Sequence, residues 1–363
     1  MRHGSSMAPT GRGRTSTSNR AWVGAAIGVA LLMAGCSDGG APGEDAPPNA
    51  VAQRPDVSPL FQPIPSEPEH PEDNPGTPER IDLGHKLFFE PKLSRSGIIS
   101  CNTCHVVGAG GVDARQVAMG EGARTGPRNS PTVFNAAFLG SQFWDGRAAT
   151  LEEQAKGPIQ AHVEMDLTPE EAIDRLGETG YRPLFQAAFP EDAEPLTFDN
   201  LARAIAAFER TLITPGSAFD RYLGGDPDAL TDLQKQGLAL FEDSGCIGCH
   251  NGVMLGGQGY AGFSHVEGAE DVGRATVTGR DEDRYVFRIA PLRNVAVTGP
   301  YFHDGSAATL HDAIAVMGSV QLGRSFEAQE VDALAAFLES LTGELPVIAY
   351  PRLPRGGPAG GSR

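Results

Sequence analysis

CNTCH at residues 101–105 and CIGCH at residues 246–250 are the stretches that decide the fold of this chain of 363 residues. In a Cys-x-x-Cys-His motif, two thiols bind a haem covalently and the adjacent His becomes an iron ligand. The predicted attachment residues are Cys101, Cys104, Cys246 and Cys249, and the predicted iron ligands are His105 and His250. We therefore predict two covalently bound haem c groups.

Two other uses of paired cysteines were weighed, a zinc site and a redox disulfide. A zinc site does not explain why both pairs are followed at once by His, and a thioredoxin-like dithiol would not occur twice. The chain has five cysteines, and these motifs use four of them.

The fifth cysteine, Cys36, ends an export signal. A basic start is followed by an apolar stretch, residues 21–34, that is too short to span a bilayer as a stable anchor. LMAGC at residues 32–36 resembles the lipobox of bacterial lipoproteins, in which the Cys carries the lipid; cleavage by the ordinary signal peptidase is the alternative. Ser37 after the Cys favours the outer membrane. We expect a periplasmic protein with a lipid anchor at Cys36.

Charge limits the classes of partner. The formal net charge is −17, which argues against nucleic acid because phosphate binding needs clustered Lys and Arg. The same charge fits long-range attraction to a basic partner.

An internal repeat surrounds the haem motifs. FWDGRAATL at residues 143–151 matches FHDGSAATL at residues 302–310 without a gap, and PTVFN at 131–135 and PLRN at 291–294 precede them in almost the same register. Repetition on this scale indicates that one ancestral haem domain was doubled.

Apolar residues at helix spacing predict a mainly α fold. They are Leu201, Ile205, Phe208 and Leu212 in the first half, and Val331, Leu334, Phe337 and Leu341 in the second. We predict two cytochrome-c-like haem domains arising from an internal duplication. The predicted segments are a signal peptide (1–35), a disordered tether (36–77), an N-terminal haem domain (78–214), a C-terminal haem domain (215–345) and a flexible tail (346–363).

Longer motifs carry a family resemblance over roughly residues 78–345. They are NSPTVFN at 129–135, QFWDGR at 142–147, GPIQ at 157–160, VEM at 163–165, TGPYFHDG at 298–305 and VMG at 316–318. Together they closely resemble the bacterial dihaem cytochrome c peroxidases. The resemblance implies that hydrogen peroxide is reduced at the N-terminal haem. It also implies that the C-terminal haem accepts electrons from a small cytochrome c or a cupredoxin, and that the protein forms a homodimer.

The resemblance also assigns roles to individual residues. Met317 matches the axial Met of the second haem, which agrees with chemistry because a Met/His pair raises the reduction potential. Trp144 matches the Trp between the haems. Glu164 matches the acid of the peroxide pocket, which would move a proton between the two oxygens, and Gln154 matches its neighbour, a donor to the departing oxygen.

A calcium ion between the domains is implied as well. The matching positions are Asn129 by its side chain, and Thr298 and Pro300 by their backbone carbonyl groups. These are hard oxygen ligands of the kind that calcium prefers.

One position departs from the family pattern. Many members carry a His in the Gly-rich loop that caps the peroxidatic iron until the second haem is reduced, and here Glu121 occupies that position. No His lies between His105 and His162. We predict that the first haem is five-coordinate or weakly water-ligated and reacts with peroxide without prior reduction. Three alternatives are that Glu121 ligates the iron, that Met119 does, and that the loop is disordered.

Two other functions compete with peroxide reduction. One is oxidation of an organic or protein substrate, as in the methylamine-utilisation dihaem oxidase, but that enzyme has Tyr where this chain has Met317. The other is a dihaem electron carrier, in which Glu164 and Gln154 would have no purpose.

Overall fold

The computed structural model describes residues 57–263 and 270–355. Within these ranges eleven α-helices and one two-stranded antiparallel sheet form the fold, which confirms the prediction of a mainly α protein. The helices are α1 (Pro78–Phe88), α2 (Cys101–Cys104), α3 (Leu151–Gln160), α4 (Pro169–Gly177), α5 (Arg182–Ala188), α6 (Phe198–Glu209), α7 (Ala218–Leu223), α8 (Asp232–Asp243), α9 (Ala275–Thr278), α10 (Leu310–Gln321) and α11 (Ala328–Glu339). The strands are β1 (Tyr260–Gly262) and β2 (Val286–Arg288), with Tyr260 opposite Arg288.

Two separate hydrophobic cores follow from the helical periodicity of the sequence. In the first core, Leu201 and Ile205 of α6 pack with residues of α1, α3, α4 and α5. In the second core, Leu334 and Phe337 of α11 pack with residues of α7, α8 and α10. The predicted apolar faces are confirmed, since all four side chains are buried.

The duplication is visible where two helix pairs cross. A Cβ atom on Gly84 of α1 would lie 1.8 Å from the carbonyl oxygen of Ala204 in α6. A Cβ atom on Gly237 of α8 would lie 1.9 Å from the carbonyl oxygen of Ala333 in α11. Both crossings therefore require a residue without a side chain, at corresponding places in the two halves.

Replacing either glycine by alanine is expected to destabilise the protein. Gly84→Ala or Gly237→Ala forces the backbones of two packed helices apart, and overpacking of this kind costs about 2–3 kcal/mol. Gly108→Ala is the control, because a Cβ atom there meets nothing within 4 Å. Urea unfolding of the holoproteins measures the difference, and equal stabilities for all three variants would contradict the crossing geometry.

A second pair of corresponding residues, Asn135 and Asn294, connects the two halves through a shared partner, Thr214. Asn135 and Asn294 both adopt left-handed backbone conformations, with φ of 61° and 62°. Their side-chain amides donate to the same hydroxyl oxygen, Oγ1 of Thr214, at 2.7 and 2.9 Å. This buried network connects the two halves at the segment that leads from one to the other.

The predicted disordered tether is wrong for the part that the structure describes. Phe61 is 5% exposed and its ring packs against Phe219 at a centroid distance of 5.3 Å. The carbonyl group of Gln62 accepts from Arg293 at 2.9 Å, and Ser58 N donates to Glu242 at 2.9 Å. Residues 57–64, here called the N-terminal segment, thus belong to the second core.

The predicted flexible tail is wrong over residues 346–355, here called the C-terminal segment. Tyr350 packs edge-on against Phe89 at 5.0 Å, and Ile348 and Leu353 pack against the first core. The two ends of the described chain therefore cross, because each end packs against the other half. Only a few side chains anchor each segment, and these do not recur at helix or strand spacing. For this reason the sequence pattern did not predict that either segment is ordered.

The predicted export signal and Cys36 lie outside the described residues. In residues 57–263 and 270–355, none of the helices combines the length and the apolar character that a membrane span requires.

Candidate active site

Both haem motifs open into one cavity of about 840 Å³. Its lining includes Cys104 and His105 from the first motif and Cys246, Cys249 and His250 from the second. Apolar side chains form most of the remaining wall, as expected for a site that holds a large apolar cofactor. The two predicted haem sites are therefore neighbours.

The two histidines are oriented in the same way. Nδ1 of His105 lies 3.0 Å from the carbonyl oxygen of Pro131, and Nδ1 of His250 lies 3.1 Å from that of Leu255. A backbone acceptor at Nδ1 fixes the tautomer that leaves Nε2 to bind a metal. Burial lowers the pKa of both rings, which favours the neutral form that binds iron.

The cysteines of the first motif do not resemble a zinc site or a redox pair. Burial raises the pKa of Cys101, and raises that of Cys104 to about 11, whereas zinc and disulfide chemistry use the thiolate. Among the described residues, no group of three or more His, Cys, Asp or Glu side chains is placed to hold a metal ion.

Arg288 provides a test of whether haem fits. Its Nε donates to the carbonyl oxygen of Phe143 at 3.2 Å, but Nη1 is buried without a hydrogen-bond partner among the described residues. Burial lowers the pKa of Arg288 to about 10. Arg288 lines the cavity, and a buried cation of this kind needs an anionic partner. The propionate groups of haem have that charge, so the cavity fits the cofactor.

Equivalent helices cover the two haem motifs. Thr150 caps α3 by accepting from Glu153 N at 3.2 Å, and Thr309 caps α10 by accepting from Asp312 N at 3.1 Å. These caps are partners in the sequence repeat, so residues of α3 and α10 correspond one to one. Met317 of α10 lines the cavity.

The counterpart of Met317 in α3 is Pro158, which also lines the cavity. Proline has no side-chain donor atom that could bind iron. The helix that offers a sulfur ligand in the second half therefore offers none in the first. Sequence reasoning missed this residue, although extending the repeat along the helix would have found it.

Glu164 and Gln154 line the cavity on the same side as Pro158. Glu164 is partly buried, and burial raises the pKa of its carboxyl group against the opposing effect of Arg147. The Gly-rich loop packs directly on this acid, because a Cβ atom on Gly120 would lie 2.4 Å from the carbonyl oxygen of Glu164. The structure thus brings together the predicted acid and its predicted neighbour.

Glu121 is turned away from the cavity. Its carboxylate accepts from N and Oγ of Ser96 at 2.9 and 2.6 Å, and these bonds lower its pKa although desolvation opposes them. Its backbone N donates to the carbonyl oxygen of Glu164 at 2.8 Å. Neither Glu121 nor Met119 is among the residues that line the cavity.

Trp144 lines the cavity. Its Nε1 donates to the carbonyl oxygen of Asn129 at 3.0 Å, and its own carbonyl oxygen accepts from Arg288 N at 2.7 Å. The indole meets the ring of His303, its counterpart in the repeat, edge-on at 6.5 Å. Backbone contacts from both halves therefore fix this residue.

The predicted calcium ligands lie in the same wall. Asn129, Thr298 and Pro300 all line the cavity. Nδ2 of Asn129 donates to the carbonyl oxygen of Arg115 at 2.8 Å, so the amide is held by its nitrogen.

Two other residues of the cavity wall were not predicted, Arg288 and Glu209. Both are buried charged residue types with an unpaired atom, and nothing in their sequence neighbourhood distinguishes them from ordinary surface positions.

Comparison with known proteins explains this arrangement. Residues 78–228 match the family described as di-haem cytochrome c peroxidase. The cytochrome c551 peroxidase of Pseudomonas aeruginosa is 51% identical over 306 residues, covering 82% of this chain and 88% of that protein. The chain belongs to the di-haem cytochrome c peroxidase family.

Other relatives of this di-haem peroxidase family agree. The cytochrome c551 peroxidase of Nitrosomonas europaea is 46% identical, covering 77% of this chain and 85% of that protein. A solved MauG-like protein associated with microbial copper homeostasis is 30% identical, with a TM-score of 0.70 over 80% of this chain and 95% of that one. Family membership confirms two cytochrome-c-like domains, two haem c groups and an oxidoreductase of the peroxidase class.

Proposed function

We propose that this protein reduces hydrogen peroxide to water with electrons from a small periplasmic redox protein. Cys246, Cys249, His250 and Met317 would hold the haem that accepts the electrons. Cys101, Cys104 and His105 would hold the haem at which peroxide is reduced. The observation that carries the proposal is the pairing of Met317 with Pro158 in equivalent helices. It offers a sulfur atom that could bind iron on one side and none on the other.

The cofactor and the polypeptide contribute different parts of the reaction. Bound haem supplies the iron that accepts and delivers electrons at each site. Glu164 takes a proton from the peroxide oxygen atom that binds at the first site. It gives this proton to the other oxygen atom, which leaves as water. Gln154 donates a hydrogen bond to the leaving oxygen as negative charge develops there. Each peroxide consumes two electrons and two protons and yields two molecules of water.

Trp144 provides the route between the two sites in this proposal. Its indole lies in the shared cavity, and the hydrogen bond to Asn129 holds it in one orientation. Asn129 would also bind calcium through Oδ1, together with the carbonyl groups of Thr298 and Pro300. Water molecules would complete the six to eight oxygen ligands that calcium takes.

We place the protein in the periplasm, with a lipid anchor at Cys36 in the outer membrane. The LMAGC sequence at residues 32–36 supports this location. The donor is a small c-type cytochrome or a copper protein, for which the acidic surface favours a basic docking face.

The fully oxidised protein is expected to react with peroxide without prior reduction. Ser96 holds Glu121 away from the cavity, and no His is present in the loop to cap the iron. The experiment first adds peroxide alone to ferric holoprotein, with two haems per chain verified by pyridine haemochrome, and adds a reduced cytochrome c afterwards. Peroxide should be consumed before the donor is added, and two donor molecules should then be oxidised per peroxide.

Electron paramagnetic resonance of the same ferric sample gives an independent measure, and a high-spin signal from the first haem is expected. A low-spin first haem that turns over after addition of one electron would mean that another ligand caps the iron. Absence of turnover in both states would overturn the proposed function.

A further inference from the structure

Glu209, at the end of α6, is a buried carboxyl group without a role in the mechanism above. It is 5% exposed, and its Oε2 has no hydrogen-bond partner among the described residues. An ionised carboxylate in this position would carry an unpaired buried charge, which costs several kcal/mol. Burial accordingly raises the pKa of Glu209 to about 8, so the group holds a proton at neutral pH.

A second, small cavity of about 40 Å³ connects Glu209 with the peroxide pocket. Glu209, Glu164 and Gln154 all line it, and it extends to the first haem motif at Cys101 and His105. One water molecule needs about 10–15 Å³ by this measure, and three polar side chains provide hydrogen-bond partners for it. A water bridge between the two carboxyl groups therefore fits.

The charged groups around Glu209 do not stabilise its ionised form enough to remove its proton at neutral pH. Arg210 lowers its pKa, but the Arg210 guanidinium is paired with both carboxylate oxygens of Glu152 at 2.7 and 3.0 Å. Glu152 in turn raises the pKa of Glu209. The titratable group that α1 directs toward α6 is His85, whose ring stacks on Phe208 at 4.8 Å. Across the small cavity the facing titratable groups are Glu164 and the haem ligand His105.

We infer that Glu209 stores a proton that Glu164 passes to the second oxygen atom of each peroxide after the first has left as water. This inference rests on the proposed function and deepens it. Glu209 acts through Glu164, without touching peroxide, and the small cavity is the path between them.

The proton balance of this step is closed. Glu164 is a carboxylate again once it has returned the peroxide's own proton to the leaving oxygen, and the second oxygen atom still needs two protons to leave as water. The O–H bond of Glu209 then breaks, a proton crosses the bridging water to Glu164, and Glu164 passes it on to form an O–H bond at that oxygen. A proton from bulk water removes the negative charge on Glu209, and a second transfer by the same path completes the water molecule and leaves Glu164 ionised for the next peroxide. The electrons come from the redox donor, and no further oxidant or reductant is needed.

The test compares wild-type holoprotein with Glu209→Gln, which keeps the size of the side chain but carries no acid proton. In the infrared spectrum of the ferric wild-type protein, the carbonyl stretch of a protonated carboxyl group is expected at pH 7 and lost as pH rises through about 8. The variant should lack this band. Its kcat should fall roughly tenfold, less than the loss for a group that meets the substrate itself.

The pH profile separates a proton store from a merely structural residue. In the wild type, kcat is expected to fall as pH rises through about 8, because ionised Glu209 has no proton to give. Glu209→Gln should lose this alkaline limb, and Glu209→Asp, which restores a carboxyl group, should regain it. Glu90→Gln is the matched control, because Glu90 is 1% exposed in the same half but lines neither cavity.

Three outcomes would overturn the inference: an unchanged kcat and pH profile in Glu209→Gln, a titrating infrared band that persists in that variant, or no such band in the wild type. If Glu209→Gln fails to bind haem, the infrared titration of the wild-type protein tests the inference by itself. A wild type that does not reduce peroxide would refute the proposed function, whereas turnover that is insensitive to Glu209 would refute this inference alone.

Discussion

Glu164→Gln is expected to lower kcat for peroxide reduction by about two to three orders of magnitude. The amide keeps the shape of the side chain but can neither accept the proton of the bound oxygen nor return it to the leaving one. Glu164 is the acid in the proposed mechanism, and Gln154, which lines the same cavities, has no ionisable group. Steady-state turnover with a reduced cytochrome c measures the loss, with haem content verified for each variant.

The pH dependence of wild-type turnover tests the same role. Burial raises the pKa of Glu164, and the ionised form must be present to accept a proton. The rate should therefore fall as pH decreases through that raised pKa, and Glu164→Gln should lack this acid limb. Glu178→Gln, which changes an exposed carboxyl group in the same half, is the control. A Glu164→Gln protein that retains wild-type kcat would show that peroxide receives its protons elsewhere.

Pro158→Met is expected to close the peroxide site. It places a thioether in α3 at the position that Met317 occupies in α10, and the matching caps at Thr150 and Thr309 keep the two helices in register. If the new sulfur binds the iron in 99% of molecules, reaction of ferric protein with peroxide falls about 100-fold. Electron paramagnetic resonance should show the first haem changing from high spin to low spin.

Pro158→Leu is the matched control for this substitution. Leucine has nearly the same volume as methionine and also removes the proline from the helix, but it cannot ligate iron. The leucine variant should stay high-spin and reactive. If the methionine variant does the same, a side chain at position 158 does not reach the first iron.

The parts of this protein that were predictable are those whose chemistry needs neighbouring residues. Thioether attachment fixes two cysteines and a histidine within five positions, so Cys101 and His105 could be identified from the sequence. The repeat predicted two similar domains, and Gly84 and Gly237 show the consequence, since both crossings exclude a side chain. The long motifs around Glu164 and Met317 resembled a family, and the family is confirmed.

The residues that were missed depend on surroundings that sequence spacing does not contain. Glu209 follows Ala206, Ala207 and Phe208 at the end of a helix, where an acid is usually exposed to solvent; its burial comes from the packing of α6 beneath the cavity. Arg288 lies in a strand of three residues, too short to give a pattern. Such positions become visible when the chain has folded and an unpaired atom faces a cavity.

The crossing of the two chain ends has a consequence for biosynthesis. Phe61 is made early in synthesis, yet its ring partners Phe219 and Phe241 follow after more than half of the polypeptide has been made. The core of the first half, in turn, is completed by Ile348 and Leu353, near the other end of the described residues. Each half therefore completes its core only when residues from the far end of the described chain are available, and the last step of folding joins the two halves.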